Sequence, residues 1–379
     1  MTRDSLALVE VLADVPDFRQ SRGRRHPLAA ILSLAVAAML CGYKSYSAMA
    51  EWGRNYGQDF AKALGFTHRK TPCAATLHNI FRSLDRQLFE SRLGRWAEAV
   101  MADSHTEVDE LEVIDFDGKT LRGTRKQGAP AAHLLSAVGQ RLGLTVAQQS
   151  VDEKTNEITV MTEMLKTLLI ENRVITMDAL LTQRAIASQI VNQGGDYLMV
   201  VKENQAELLK WISALFEQTI WLREGVETAE AKDAAHGRIE TRKLSASSAL
   251  NDHGLWPGLE RVLKIERSVM EKKSGRKRQE VVYGVTSLTR ERASAEKLLK
   301  MSRQHWHIEN KSHWVRDVTF DEDRSQVRCG SIPQIMAAFR NTAIGLMRRA
   351  GETNIAAACR RFAARPWTAL ALIGIKPEN

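Results

Sequence analysis

Carboxylate, imidazole and guanidinium side chains crowd into one stretch of the sequence, Ser302 to Arg324 (SRQHWHIENKSHWVRDVTFDEDR), with Glu309 among Ser302, His305 and Arg316. At about 100° of rotation per residue, an uninterrupted helix would bring these four positions within roughly 60° of one another. The expectation is a polar stripe flanked by Trp306, with Ile308 turned away to pack. Such a stripe is either a solvated face with ordinary i,i+4 pairs or a set of ligands aimed into a cleft. Two carboxylates upstream favour the cleft. In LEVIDFDGKTLRG, alternation puts Val113, Asp115 and Asp117 on one face and Ile114 and Phe116 on the other, which predicts a strand ending at Asp117 before Gly118. RVITMDAL predicts a second strand with Asp178 at its end. A single strand-end Asp is usually a turn residue. Two on neighbouring strand ends can ligate one hard divalent cation, and a third carboxylate from a crossing helix can complete a second site. Asp117, Asp178 and Glu309 are therefore candidate catalytic residues and metal ligands. They would hold two Mg²⁺ ions, with Mn²⁺ able to substitute. Ions so placed activate a water or 3′-hydroxyl nucleophile on one side of a phosphodiester and stabilise the leaving oxygen on the other.

The elements that must position these side chains follow from periodicity. Residues 1–105 predict an all-helical N-terminal domain, with apolar residues at helical spacing in LALVEVLADV, LAAILSLAVAAML, SAMAEWGRNYG, FAKALGF, TLHNIFRSL and LFESRLGRWAEAV. Thr71 would cap a short helix carrying His78 and Arg82, in a helix-turn-helix or in a plain bundle. Residues 106–204 predict the order β-β-β-α-β-α-β, with Thr182 capping the second helix, and the first and fourth strands parallel neighbours. Asp117 and Asp178 then sit at strand carboxyl ends, where open α/β sheets bind ligands. Residues 205–294 predict a helix, Gln205 to Leu222, and a mostly β insertion with strands in GRIETRKLSAS, RVLKIERSV and QEVVYGVTSL. Its basic turn KKSGRKR is either a solvated hairpin tip or a means of neutralising phosphates beside a nuclease cleft, and Trp256 either stacks on an unpaired base or packs inward. Residues 295–379 carry the Glu309 helix and further helices.

Composition narrows the function class. With 379 residues, 44% of them hydrophobic, the chain can bury a large core. A formal charge of +9 points to a polyanionic partner, first of all nucleic acid. Residues 325–379 hold eight Lys and Arg against two Asp and Glu, a net +6 that reads as a basic flank. The four scattered cysteines form no C-x-x-C pair, which argues against a zinc ribbon or disulfide framework and suits a reducing cytoplasm. The apolar run from Pro27 to Met39 is too short to span a bilayer comfortably, so no membrane association is expected.

Taken together, PDFRQSRGRRHPL, SYSAMAEW, DGKTLRG, TMDALLTQ, GGDYLMVVKENQ and RQHWHIENKSHWVRDVTFDEDRS resemble the bacterial insertion-sequence transposases of the H-repeat-associated group, within the DDE transposases that carry a Tyr-Arg-Glu-Lys signature. The resemblance runs from about Asp14 to about Arg349. It implies an α/β fold: a ribonuclease H-like mixed sheet with an inserted β-rich subdomain, preceded by the helical domain. It also implies the triad Asp117, Asp178 and Glu309, with Asp115 a neighbour outside it. Of the four signature positions only the glutamate is kept, since Ser302, His305 and Arg316 occupy the others. Lys119, Arg122, Lys202, His305 and Arg316 are the candidate DNA contacts. The implied activity is Mg²⁺-dependent cleavage at terminal inverted repeats and transfer of the 3′-hydroxyl ends to target DNA by a homodimer on paired ends, in the cytoplasm at the nucleoid. Two other readings differ in kind. One is an inactive, domesticated DNA-binding regulator. The other is a zinc hydrolase using His305, Glu309 and His313 at i, i+4 and i+8 of one helix.

Overall fold

The helical periodicity of the first hundred residues is realised as six helices in the computed structural model, which describes residues 6–104, 111–125, 130–152, 155–217, 225–235, 237–305 and 308–376. They are α1 (Leu8–Ala13), α2 (Leu28–Leu40), α3 (Tyr46–Asn55), α4 (Gly57–Ala63), α5 (Ala74–Ser83) and α6 (Arg86–Asp103). There follow β1 (Glu112–Thr120), β2 (His133–Gly139), β3 (Thr145–Val151), α7 (Glu157–Thr167), β4 (Arg173–Met177), α8 (Arg184–Asn192), β5 (Asp196–Val201) and α9 (Ala206–Glu217). The rest comprises β6 (Glu227–Ala235), β7 (Arg238–Ser247), β8 (Arg261–Glu271), β9 (Lys277–Thr286), α10 (Ala295–His305), α11 (Trp314–Val318), α12 (Ile332–Arg349), α13 (Ile355–Ala364) and α14 (Pro366–Leu372). The boundary expected at residue 105, the helix end expected at Leu222 and the flanking Trp306 lie outside the described residues.

The chain forms two compact units: Met1–Glu110 with Gly118–Lys154 and Ile308–Asn379, and Leu111–Asp117 with Thr155–His307. In the first, α2 is apolar all round and buried at every residue but Ala29, as a helix at the centre of a bundle must be. Each of its fully buried Leu and Ile side chains contributes about 1.5–3 kcal/mol. Phe339 of α12 packs on Phe81 of α5 and Phe89 of α6, with ring centroids 5.3 and 5.1 Å away. The antiparallel pair β2–β3 belongs to the same unit. Thr71 is buried and Cys73 occupies the N-cap of α5, so the expected threonine cap is absent there. Among the described residues, no helix is long and apolar enough to cross a membrane.

The second unit is a mixed sheet in the order β1-β4-β5-β9-β8-β7-β6. β1, β4 and β5 are parallel, as the order of elements predicts for the first two, and the other pairings are antiparallel. The insertion extends this sheet directly, because β9 pairs with β5 from Leu198↔Thr286 to Val201↔Tyr283. Its outermost strand, β6, is unexpected from sequence: ETAEAKDAA has a helix former's composition, yet pairs with β7 along its whole length. α10 covers one face, burying Leu298, Leu299 and Met301 against Val113, Val174, Leu244 and Leu263.

Candidate active site

Parallel pairing of β1 with β4 sets Asp115 opposite Thr176 and Phe116 opposite Met177. Asp117 follows Phe116 within β1, which runs on to Thr120 where the sequence predicted an end at Asp117, and Asp178 is the first residue past β4. Alternation puts Asp115 and Asp117 on the same face. The pit is graded: Asp115 and Thr176 are almost fully buried, Asp117 is half-buried and Asp178 is exposed.

α10 delivers His305 to the floor of this pit. Its Nδ1 lies 2.8 Å from the Thr176 hydroxyl and 3.5 Å from Asp115 Oδ1, and the Thr176 hydroxyl also donates to Asp115. Burial pushes the imidazole pKa down, but Asp115, and behind it Asp117 and Asp178, overcome this and hold it above the usual histidine value. His305, expected to meet DNA, thus turns inward as a member of the carboxylate cluster. Asp115 and Thr176 are the residues that sequence reasoning passed over. The signal was present for Asp115, which shares the Asp117 face by alternation. For Thr176 it required the parallel register.

The motif residues around Asp178 fix its loop. Its Oδ1 accepts the Leu181 N–H at 3.3 Å. The buried Thr182 hydroxyl is 2.6 Å from the Val200 carbonyl and 3.0 Å from that of Asp178, tying the loop to β5. Asn204 donates to the Ala179 carbonyl at 2.6 Å and Gln205 to that of Thr182 at 3.0 Å. Thr182 is therefore a strut where a helix cap was expected, since Gln183 holds the cap position of α8. Lys202, just past β5, is exposed at the same carboxyl edge. Trp256 is buried, with the Arg184 guanidinium 5.6 Å above its ring, so it packs inward.

Glu309 belongs to the other unit and is exposed. The uninterrupted α-helix expected from Ser302 to Arg316 gives way to a π-helical turn at Glu309 to His313, with α10 described to His305 and α11 following from Trp314. Wide turns of this kind recur at functional sites. Arg316 is fully buried, its Nε 2.8 Å from Glu322, which also receives Arg340 at 2.8 Å. Lys119 is buried with its ammonium 2.7 Å from Asp317. Both were expected at the DNA surface, and both serve internal ion pairs. Arg122 keeps its side chain exposed, with Asp323 3.8 Å away.

Within one unit, then, the structure brings together Asp115, Asp117, Asp178, Thr176 and His305. Among the described residues no group of three or more Asp, Glu, His or Cys side chains is arranged to hold a metal ion. The adjacent Asp117 and Asp178 nonetheless suit Mg²⁺, which is commonly held by one or two carboxylates plus substrate phosphates and water. Residues 109–346 match the family described as "Transposase DDE domain", and residues 9–97 match its companion, "DDE_Tnp_1-associated". The chain belongs to the DDE-domain transposases. Similar proteins include "H repeat-associated putative transposase YhhI" of Escherichia coli K12, 32% identical over 354 residues covering 90% of each chain. "Putative transposase YncI" of Escherichia coli O157:H7 is 29% identical over 350 residues, covering 90% of this chain and 87% of that one.

Proposed function

We propose that this chain cleaves DNA at the terminal inverted repeats of an insertion sequence and joins the released 3′-hydroxyl ends to target DNA. The observation that carries the reading is the parallel pairing of β1 with β4 up to Phe116↔Met177, the residues immediately before Asp117 and Asp178, with His305 anchored on Thr176 of the same stretch. Asp117 and Asp178, with Glu309 as third ligand, would hold Mg²⁺ ions, which supply nucleophile activation and leaving-group stabilisation when bound. The chain's own contribution is rigidity. Thr182, Asn204 and Gln205 hold the Asp178 loop against β5, so its carboxylate meets the scissile phosphate without reorganising. The buried trio of Asp115, Thr176 and His305 fixes the floor under Asp117, with an imidazole whose pKa Asp115, Asp117 and Asp178 hold above the usual histidine value against its burial. Lys202 and Arg122 both keep exposed side chains that can meet phosphates, Arg122 from beside Asp323. A homodimer on paired ends is the assembly this chemistry calls for.

The test is cleavage of end-labelled terminal-repeat duplex in Mg²⁺ by wild type and by Asp178→Ala, with circular dichroism to check the fold. Wild type should nick the repeat end and the variant should lose at least a hundredfold in rate. Equal cleavage by both would remove Asp178 from the site. Repeat-specific binding by a wild type that never cleaves would establish the regulator in place of the enzyme.

A further inference from the structure

The far end of the β7-β8-β9 sheet carries a charged cluster that cleavage leaves unused. Register sets Arg238 of β7 opposite Glu271 of β8, and Val269 of β8 opposite Arg278 of β9. Residues directly opposite on antiparallel strands share a face, and alternation adds Arg267 to it. With Arg276 from the turn, these side chains line a groove of about 490 Å³.

Its charges are not balanced internally. Arg267 is held by Glu240 at 3.0 Å and Glu280 at 3.6 Å. Glu271 accepts the Ser274 hydroxyl at 2.8 Å, and Ser274 in turn accepts the Arg276 backbone N–H at 3.2 Å, which braces the turn. Arg238, Arg276 and Arg278 are exposed, and none makes an ion pair among the described residues. They stand on both sides of β8, two strand spacings or about 9.5 Å apart. Lys272, Lys273 and Lys277 of the same turn add to the field.

This form suits a chain of phosphates. A concave cradle with cations on both walls receives a strand of anionic charge, whereas reading base edges needs a protein element that enters the DNA groove. Among the described residues no aromatic side chain lines the cradle, so base stacking finds no platform there. We propose that this groove is a sequence-independent seat for the sugar-phosphate backbone of duplex DNA, the target or flanking duplex as distinct from the terminal repeat. The choice of DNA as the polyanion rests on the function proposed above.

The experiment measures binding of the full chain to a short fluorescent duplex of arbitrary sequence across a range of salt concentrations. The triple variant Arg238→Ala/Arg276→Ala/Arg278→Ala should bind about 10- to 100-fold more weakly at physiological salt. Its slope of log K against log salt should be smaller by about 2–3, since each phosphate contact contributes about 0.9. The triple Lys variant should keep most of both. The proposal is overturned if affinity and slope are unchanged, if only terminal-repeat duplex is affected, or if RNA binding falls while DNA binding does not. A wild type that cleaves nothing sinks the catalytic reading while the slope comparison still decides this one.

Discussion

His313 illustrates what burial does to a side chain that spacing alone offers as a ligand. Burial first, then Arg316 and Lys119, depress its pKa to about 3, with Glu322 pulling weakly the other way and His133 adding to the depression. The folded chain therefore keeps His313 neutral, while the unfolded chain takes up a proton below about pH 6.5. Stability from this group is intact above that pH. It is lost as pH falls toward 3, at up to about 1.4 kcal/mol per pH unit. His313→Gln should flatten urea-unfolding stability between pH 6.5 and 4 relative to wild type, and parallel curves would contradict the assignment. The same contrast explains which residues sequence could rank. The shared face of Asp115 and Asp117 and the strand end just before Asp178 were legible because they are local properties, whereas β1 runs past its expected end at Asp117 to Thr120. Lys119 and Arg316 were not legible, because charge and spacing are the same for a phosphate grip and for one half of an internal pair. Only the positions of Asp317 and Glu322 separate the two cases.

At the scale of elements, periodicity located the six N-terminal helices and the parallel β1–β4 core, since apolar spacing states directly which face is buried. It failed at β6, whose Ala- and Glu-rich sequence is overridden by its ladder with β7, and at the π-helical turn, where no residue type announces the wider winding. Gly123 of the DGKTLRG motif shows how far an element can depend on one missing side chain. A Cβ there would lie 2.5 Å from the Ser325 carbonyl oxygen, 2.9 Å from that of Asp323 and 3.0 Å from that of Glu322. The same turn accepts Arg328 Nε at the Gly123 carbonyl, 2.8 Å away. Gly123 is thus what lets the segment carrying Glu322 close on the turn after β1, and Glu322 neutralises two buried arginines. Gly123→Ala should cost about 1–3 kcal/mol from overpacking, more if the Glu322 pairs are disturbed. Denaturant titration checks it, and a loss under 0.5 kcal/mol, the usual scatter of surface changes, would show that the segment yields freely.

Across the whole molecule, the formal charge of +9 predicted a polyanion partner but not where it is met. Part of the supposed basic flank is internal: Arg340 is buried on Glu322, and burial alone lowers the pKa of Arg348 to about 10. The surface charge that remains includes the distal arginines of the β-sheet extension, Lys202 beside the carboxylate edge, and Arg122. Such a division has a thermodynamic consequence for metal and DNA. A pair of carboxylates is a weak cage for Mg²⁺ by itself and becomes a stronger one when phosphate oxygens fill the coordination shell. Ligands that bind only the folded state stabilise it by RT ln(1 + [L]/Kd), about 2.7 kcal/mol at a hundredfold excess over Kd. Mg²⁺ alone should therefore barely shift thermal unfolding. A repeat-free duplex alone should shift it through the basic surfaces, and the two together should exceed the sum of their separate shifts. Asp117→Asn/Asp178→Asn should erase the excess and leave the DNA-only shift intact, because the groove that seats the backbone is built from other residues. If Mg²⁺ without DNA already gives the full stabilisation, the protein supplies a complete cage unaided, and the dependence on substrate phosphate argued from the paired aspartates is wrong.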